Sequence, residues 1–439
     1  MNDQPLPLGL DAASAARAMA EGTLTSEALT KACLDRIESR DAEVKAWCYI
    51  DPDVALRTAR DRDRSRSAGT VFGPLHGIPL GVKDVIDTCD MPTTSNSPIY
   101  ARYQPSIDAE CVRIVRAQGA IILGKTDTVE FAAGGRRAAT RNPLNLAHTP
   151  GGSSSGSAAS VADGQVPLAF GTQTAGSLIR PASYNGIYAL KPTHGAVAWS
   201  GARQYAPSLD TIGWYGRSVA DLELVAKTFR LRGLSAKPSV TLKGLKIGLC
   251  RSPNWHLAQP SSQKAFELAS SRLSEAGASV KPLNLPPLFD KLPAAQDTIM
   301  HAEGLPHFLA EFVEHHHLLH QDFRDRVENA KGITAAEFIA AQDTAAEGRR
   351  SFDALFGADL DVVLTPAALG EAPLGVDAMG AWAMNIMWTL LHAPCLSIPV
   401  TKGPTGLPVG IQLVGPRYGE PRLLAIADAL APILDADVK

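Results

Sequence analysis

A run of small and hydroxyl-bearing residues at 149–181 constrains the fold of this 439-residue chain more than any other segment. It reads TPGGSSSGSAASVADGQVPLAFGTQTAGSLIRP, and two of its serines stand out: Ser153 after Gly151-Gly152, and Ser177 after Ala175-Gly176. Residues without bulky side chains let the backbone approach another group closely. We therefore expect both serines to lie in tight turns beside a reacting group.

A lysine inside an apolar run is the second constraint. The run GIPLGVKDVI at residues 77–86 is typical of a buried strand and places Lys83 near its end. Burying an ammonium group costs on the order of several kcal/mol unless the group is paired or loses its proton. Adjacent strand residues face opposite sides, so Asp84 is poorly placed to pair with Lys83. A neutral lysine and two serines in glycine-rich turns could perform acyl transfer without a histidine.

These segments resemble the motifs of the amidase signature family. The likeness rests on GVKD around Lys83, on GGSSSGS from residue 151 and on GTQTAGSLIRP from residue 171. It extends to the motifs at 119–126, 190–193, 209–213 and 407–412, so it covers nearly the whole chain. Within the family, the GGSSSGSAA and GTQT elements are most similar to malonamidase-type bacterial enzymes.

The resemblance implies a Ser-cisSer-Lys triad. Ser177 matches the nucleophile, and Ser153 matches a relay serine that follows a cis peptide bond from Gly152. Lys83 matches the base, and it must be neutral to accept a proton. Ser154 and Gly152 are expected to support the site.

The turn before Ser177 is expected to stabilise developing negative charge. In the family, the backbone amides at Thr174, Ala175, Gly176 and Ser177 form an oxyanion hole, and such donors contribute roughly 3–4 kcal/mol each. The family commonly has glycine at Ala175, so this chain requires a negative φ there. In malonamidase-like relatives, the arginine matching Arg180 binds a substrate carboxylate; alternatively, Arg180 only braces the turn.

The order of the remaining segments favours an α/β architecture. Predicted strands at 119–124, 166–171, 245–250 and 360–366 alternate with amphipathic helical segments, which indicates a sheet covered by helices on both faces. The resemblance implies the amidase-signature fold, a large mixed β-sheet between helices (α/β/α). We expect a single domain over 1–439. It would comprise N-terminal helices at about 8–60, a catalytic core at about 70–230, and a substrate-shaping helical region with a C-terminal sheet at about 244–439.

Two helix starts can be predicted in more detail. Thr25 precedes a helix whose apolar stripe includes Leu29 and Ile37. A helix of small residues follows the serine-rich segment, and serine is a favoured N-cap. We predict that Ser155 or Ser157 caps this helix, while Ser154 could belong either to the cap or to the catalytic site.

Charge and hydropathy argue against several classes of protein. The net charge is −3 with no long basic run, which lacks the electrostatic footprint of nucleic-acid binding. No continuous apolar stretch reaches about 18 residues, so we expect no membrane span. The N-terminus has no secretory pattern, and the six cysteines include no C-x-x-C pair. We expect a cytoplasmic protein with reduced thiols and no cofactor or metal.

Three other motifs point to different chemistry. Residues 119–126 match the Walker A pattern, but the middle residues indicate a strand rather than a loop around phosphate. Residues 152–156 match the nucleophile elbow of α/β-hydrolases, with His392 downstream, yet the preceding segment is a poor strand. The histidines at 315–317 and 320 form no H-E-x-x-H pattern, so a solvated helical face is expected rather than a metal site.

The sequence therefore predicts a hydrolase that cleaves the carbonyl C–N bond of a small amide: a carboxylic acid amide, an anilide or a carbamate, the last as a urethanase. Arg180 favours a small acid amide, whereas aromatic segments favour an apolar or aryl substrate. The segments considered for the acyl pocket are Tyr205, Trp214–Tyr215, 308–312 and 382–388. The alternative is a transamidation subunit similar to the A-type subunit of glutamyl-tRNA amidotransferase. For the hydrolase, the partner is a small-molecule substrate, with a homodimer as the possible assembly.

Overall fold

A computed structural model describes residues 9–236, 238–436 and 438. The helices of this part are α1 (Ala12–Ala20), α2 (Ser26–Val44), α3 (Pro52–Ser67), α4 (Glu110–Ala117), α5 (Ser155–Ala162), α6 (Ile179–Asn185), α7 (Val219–Thr228), α8 (Pro260–Glu275), α9 (Leu292–His315), α10 (Gln321–Val327), α11 (Ala335–Asp353), α12 (Ile386–Leu390) and α13 (Glu420–Leu434). The strands are β1 (Trp47–Ile50), β2 (Pro79–Lys83), β3 (Ile121–Thr126), β4 (Leu168–Gln173), β5 (Tyr188–Lys191), β6 (Thr211–Gly216), β7 (Lys246–Leu249), β8 (Ser279–Pro282), β9 (Val362–Pro366), β10 (Cys395–Lys402) and β11 (Pro408–Val414).

All these strands belong to one sheet, in the order β1-β3-β2-β4-β6-β5-β10-β11-β9-β7-β8. β2 runs parallel to β3 and β4, and β7 runs parallel to β8 and β9, while the other pairs are antiparallel. Every residue of β2, β4, β6 and β11 is buried, as expected for strands covered on both faces. The predicted large mixed sheet between helices is confirmed.

The helices pack in groups. α5 and α6 contact each other, with α5 on β2, β3 and β4 and α6 on β5, β10 and β11. α13 contacts α7, α8 and the strands β10 and β11. Farther along the chain, α9 contacts α10, α11 and α12, and this helical layer forms one wall of the site described below. None of the helices described is both long enough and apolar enough to cross a bilayer.

The strand predicted at 119–124 differs from the observed β3, which continues through Gly124 and Lys125. A Cβ at Gly124 would lie 2.3 Å from the carbonyl oxygen of Tyr49 on β1, so the close pairing of these strands requires glycine inside β3. Lys125 is fully buried and pairs with Asp84 at 3.3 Å. The Walker A residues therefore form a strand rather than a loop.

The start of α5 also differs from the prediction. The N-cap position is Ser154, and its side chain makes no capping hydrogen bond. Ser155 Oγ donates to the carbonyl of Gly151 and Ser157 Oγ donates to the carbonyl of Phe170, each over 2.8 Å. The prediction that Ser155 or Ser157 caps the helix is wrong, because both residues lie inside it and their hydroxyls bind neighbouring backbone.

The predicted helix after Thr25 is confirmed, and Thr25 caps α2.

Candidate active site

Lys83 is the last residue of β2, and its side chain is fully buried. Its Nζ lies 2.7 Å from Ser153 Oγ, 2.7 Å from Thr172 Oγ1 and 3.0 Å from Ser154 Oγ. Ser153 and Ser154 precede α5, whereas Thr172 belongs to the neighbouring strand β4. The fold thus places the amine among three hydroxyl groups.

The charge state of Lys83 follows from this burial. Desolvation lowers the pKa of Lys83 well below its ordinary value, and the charge of Asp210 opposes this effect less strongly. The carboxylate of Asp84 pairs with Lys125 instead. Since no carboxylate among the described residues forms an ion pair with Lys83, the neutral amine is favoured and can accept a proton.

The hydrogen bonds of Ser154 limit how a neutral Lys83 can be oriented. Ser154 Oγ donates to the carbonyl of Thr172 and accepts its backbone N–H, both over 3.1 Å. Its proton is therefore engaged, and its contact with Nζ uses an N–H of Lys83 as donor. A neutral amine has two N–H groups and one lone pair. That lone pair is left for the hydroxyl of Ser153 or of Thr172.

The segment before α5 is fixed on both sides of Ser153. A cis peptide bond joins Gly152 to Ser153. The carbonyl of Ser153 accepts the amide of Val129 over 3.2 Å, and Arg180 Nη2 donates to the carbonyl of Gly152. These contacts hold the segment in place while the Ser153 hydroxyl contacts Lys83.

The turn between β4 and α6 carries Ser177 and four backbone amides that have no acceptor in the part of the chain that the structure describes. The N–H groups of residues 174–177 donate to no described residue, whereas the next two amides both donate to Gln173 Oε1, over 2.9 and 3.1 Å. Ser177 is 9% exposed and lies in the same pocket as Ser153. Its hydroxyl forms no hydrogen bond to Ser153 or to any other residue described.

Side chains engage the other polar groups of this turn. Thr389 Oγ1 donates to the carbonyl of Ala175 over 2.8 Å, and Gln296 Nε2 donates to the carbonyl of Thr174 over 3.3 Å. The hydroxyl of Thr174 donates to Asp210. Ala175 is not among the residues with positive φ, so its methyl group fits the turn. With its carbonyls bound elsewhere, the turn can direct its N–H groups at a ligand oxygen.

Asp210 is a site residue that the sequence analysis did not single out, although the motif at 209–213 contains it. Its Oδ2 accepts the amides of Tyr205 and Ala206, over 2.8 and 3.0 Å. Burial raises the pKa of Asp210 to about 7, because the hydrogen bonds from Thr174 and these amides offset desolvation only in part.

The pocket in front of the serines has a volume of about 110 Å³. Besides Ser153 and Ser177, it is lined by Val129, Ala132, Ala133, Gly134, Thr174, Ala175, Arg180, Tyr205, Met300, His301, Arg326, Met379 and Trp382. Tyr205 and Trp382 were among the residues predicted for the acyl pocket. Trp214, Phe308 and Trp388 lie in the core instead. A larger groove of about 700 Å³ lies elsewhere on the surface and contains neither serine.

Sequence reasoning missed several residues of this lining. Met300 and His301 come from α9, Arg326 from α10, and Met379 from the loop before α12. None of them lies in one of the recognised motifs. Only the packing of the helical layer against the catalytic segments brings them to the serines.

Arg180 lies in α6 and is almost fully buried. Its Nη1 donates to the carbonyl of Gly380 over 2.8 Å, its Nη2 donates to that of Gly152, and its Cζ lies 5.8 Å from the ring of Trp382. Desolvation lowers the pKa of Arg180 to about 10. The Nε has no hydrogen-bond partner. Arg180 thus braces the Ser153 segment and also lines the pocket.

His392 and His320, which the sequence analysis considered, do not join this site, whereas His301 lines the pocket. His392 Nε2 lies 2.7 Å from the carbonyl oxygen of Ser208, and its ring stacks on His194. His320 accepts the amide of Asp322 at the start of α10. One group of metal-ligating side chains stands out in the part of the chain described, Cys89, Asp90 and Asp108, and Arg116 pairs with both of its carboxylates.

Comparison with known proteins identifies the class. The family model described as Amidase matches residues 28–424, so the chain belongs to the amidase signature family. The A-type subunit of glutamyl-tRNA(Gln) amidotransferase from Chloroflexus aggregans is 33% identical, over 97% of this chain and 96% of that protein. The narrower likeness to malonamidase-type enzymes stays a prediction.

Two solved structures are similar to this chain over nearly its whole length. Native peptide amidase from Stenotrophomonas maltophilia is 30% identical with a TM-score of 0.80, covering 98% of both chains. The crystal structure of another amidase is 26% identical with a TM-score of 0.87, covering 97% of this chain and 100% of that one.

Proposed function

We propose that the protein is an amidase that hydrolyses small amides through an acyl-enzyme on Ser177. Ser153 acts as the proton relay and Lys83 as the base. The observation that carries the proposal is the 2.7 Å contact between Lys83 Nζ and Ser153 Oγ, in a pocket that also contains Ser177. Burial favours the neutral amine that this role requires.

Acylation forms one bond and breaks another. Ser177 Oγ attacks the carbonyl carbon while its proton passes to Ser153 and the proton of Ser153 passes to Lys83. The amides of residues 174–177 hold the oxyanion. The C–N bond then breaks, and Lys83 returns its proton through Ser153 to the leaving nitrogen, which departs as ammonia or an amine.

Deacylation uses the same groups with water as the nucleophile. Water attacks the Ser177 ester and passes a proton through Ser153 to Lys83. The ester C–O bond breaks, the carboxylic acid leaves, and Ser177 regains its proton. No histidine takes part, which agrees with the position of His392 at the carbonyl of Ser208.

The substrate class is proposed from the side chains that line the pocket, which include apolar residues and an arginine. Met300, Met379 and Trp382 present apolar surface, which suits the acyl or aryl part of an amide, an anilide or a carbamate. We keep Arg180 as a proposed ligand of a substrate carboxylate, through its unpartnered Nε. A small amide is the substrate class that fits a cavity of about 110 Å³.

A hydrolysis screen tests the proposal. Purified protein is incubated with small acid amides, anilides and carbamates, and rapid acid quenching followed by peptide mass spectrometry detects the acylated peptide. We expect turnover of at least one class and an acyl adduct on the peptide containing Ser177. An adduct on another residue, or turnover that persists in the Ser177→Ala variant, would contradict the assignment.

A second candidate is a transamidation subunit, because the glutamyl-tRNA(Gln) amidotransferase relative is 33% identical over 97% of the chain. It predicts that the isolated chain hydrolyses simple aryl amides poorly and forms a stable complex with a partner protein. Gel filtration of the isolated chain, combined with the same hydrolysis assay, separates the two functions. Efficient hydrolysis by the chain alone supports the amidase.

A further inference from the structure

His301 lines the pocket, and the proposed reaction gives it no role. It lies on α9, shares the pocket with Ser153 and Ser177, and has a side chain that is 19% exposed. Earlier on the same helix, Gln296 donates to the carbonyl of Thr174 in the turn that carries Ser177. The helix α9 thus connects His301 to the reacting segment.

Hydrogen bonding fixes which ring nitrogen of His301 carries the proton. Its Nδ1 lies 2.8 Å from the backbone carbonyl oxygen of Asp297, one helical turn earlier. A carbonyl oxygen can only accept, so Nδ1 carries the ring proton. Lys331 Nζ lies farther from Nδ1, at 3.4 Å, and donates to the carboxylate of Asp297 over 2.6 Å. Nε2 keeps its lone pair and has no hydrogen-bond partner among the residues described.

The charged groups around the ring favour its neutral form. They are Asp297 on α9, Arg326 on α10 and Lys331 in the segment between α10 and α11. Desolvation is the largest effect and lowers the pKa of His301. Asp297 opposes this shift in part, whereas the charges of Lys331 and Arg326 add to it. The ring is therefore neutral at neutral pH, and its Nε2 is a hydrogen-bond acceptor.

The other polar side chains of the lining are donors or are already engaged. The two arginines of the lining can only donate. The hydroxyl of Thr174 donates to Asp210, and Tyr205 OH accepts Arg326 Nε over 2.9 Å. The two serines take part in the proposed reaction. Among the lining side chains described, His301 Nε2 is thus the nitrogen or oxygen acceptor that remains for a substrate.

The charge and the size of the pocket decide which donor would bind. Two arginines line it, whereas no aspartate or glutamate does so among the residues described. These cations would repel an ammonium group. A neutral donor avoids this repulsion, and a hydroxyl is the smallest neutral donor that a cavity of about 110 Å³ could hold beside an amide.

We propose that His301 is a specificity-determining residue whose Nε2 accepts a hydrogen bond from a hydroxyl group on the acyl part of the substrate. The substrate class is then a small hydroxy amide. A substrate that lacks the hydroxyl leaves the acceptor without a partner, and the site disfavours it for that reason. This inference rests on the proposed amide hydrolysis and assigns a specificity to it.

Isosteric substrates test the proposal. Lactamide is compared with isobutyramide, and 3-hydroxypropionamide with butyramide, because a methyl group replaces the hydroxyl in each pair. We expect the wild-type protein to prefer the hydroxy amide in at least one pair. His301→Phe should lower kcat/KM for that hydroxy amide about tenfold, mainly through KM, and leave its isostere within about twofold. His301→Gln should recover part of the loss, because its amide oxygen can replace Nε2 as the acceptor.

The matched control is His307→Phe. His307 lies on the same helix but outside the pocket lining, and desolvation lowers its pKa as well. This variant should leave both pairs of substrates unchanged. An equal loss on the two members of a pair in His301→Phe would mean that the ring only packs against the wall, and it would overturn the proposal. A wild-type protein that prefers the hydroxy amide in neither pair would overturn it as well.

A measurement without turnover separates this inference from the proposed function. NMR of the Ser177→Ala protein labelled with ¹⁵N-histidine reports the proton on each ring nitrogen, and the signals of His301 are those lost when His301→Phe is added. We expect a protonated Nδ1 and an unprotonated Nε2, whose resonance shifts with at least one hydroxy amide and not with its isostere. Such a shift supports the site even if no amide is hydrolysed. A proton on Nε2, or no response to either hydroxy amide, would refute the site while leaving amide hydrolysis by the wild type untouched.

Discussion

The hydroxyl of Thr174 donates to Asp210 Oδ1 over 2.5 Å. The other oxygen of the same carboxylate accepts the amides of Tyr205 and Ala206. One buried side chain therefore joins the turn that carries the proposed oxyanion hole to the loop that supplies Tyr205 to the pocket wall. Asp210 acts on the reaction by positioning these two segments.

Replacing Asp210 with asparagine should disturb this arrangement without removing side-chain volume. An amide has one acceptor oxygen, so it cannot accept from Thr174 on one side and from two amides on the other. We expect kcat to fall about tenfold with little change in KM, as for the loss of one positioning hydrogen bond. Steady-state kinetics with a neutral amide as the substrate would measure both parameters. A change confined to KM would argue against the positioning role.

The same variant should alter the pH dependence of stability. Because burial raises the pKa of Asp210 to about 7, above its unfolded value, the native state holds this proton more tightly. The contribution is fully present below about pH 4 and is lost as the pH rises through 7. Urea denaturation at pH 4.5 and pH 8 should show a smaller change in unfolding free energy for Asp210→Asn than for the wild type. If the variant and the wild type show the same change in unfolding free energy between the two pH values, the carboxyl group of Asp210 is not protonated in the native state.

Ser177→Ala should abolish turnover while the fold is retained. The Ser177 hydroxyl makes no hydrogen bond to a described residue, so its removal should leave the melting temperature nearly unchanged. We expect kcat to fall by about 10⁴-fold or more, as for other nucleophile deletions. Ser200→Ala is the matched control, since Ser200 is exposed and outside the pocket, and it should remain fully active.

The loss of a proton from Lys83 should determine how kcat/KM rises with pH. Since burial lowers its pKa well below 10.5, kcat/KM should rise with pH as the amine loses its proton and level off below pH 10.5. Lys83→Met and Lys83→Arg should both lose roughly 10²- to 10⁴-fold, because neither offers a neutral amine. Activity that persists in Lys83→Arg would exclude lysine as the base. The exposed Lys402→Arg provides a control.

His392 should make the protein sensitive to acid. Burial and the neighbouring His194 lower the pKa of His392 to about 2, so the ring stays neutral in the fold and becomes charged in the unfolded chain below about pH 6.5. Stability should therefore fall as the pH drops, by about 2 kcal/mol from this group between pH 7 and 5. His392→Asn, which tolerates the φ of 59° at this position, should show a flatter dependence in denaturant titrations. An identical slope in the variant would assign the acid sensitivity to other groups.

Local patterns predicted the helix α2 and five of the eleven described strands, namely β2, β3, β4, β7 and β9. Lys83 lies at the end of a buried strand, as the apolar run predicts, because burial on both faces of a sheet requires a continuous apolar run. The errors concern local hydrogen bonding. Ser155 and Ser157 do not cap α5, because both lie inside the helix and their hydroxyls donate to the carbonyls of Gly151 and Phe170. Gly124 does not end β3, because the carbonyl of Tyr49 approaches it.

The sequence by itself determined the family through its contiguous motifs, the large mixed sheet through the resemblance to that family, and the strand on which Lys83 lies through a continuous apolar run. Only the tertiary structure decided which side chains surround the serines. Arg326 and Met300 reach the pocket from the helical layer, and Gln296 and Thr389 hold the nucleophile turn from other helices. Each of these contacts depends on packing between segments more than 100 residues apart, and a local sequence pattern carries no information about such distances.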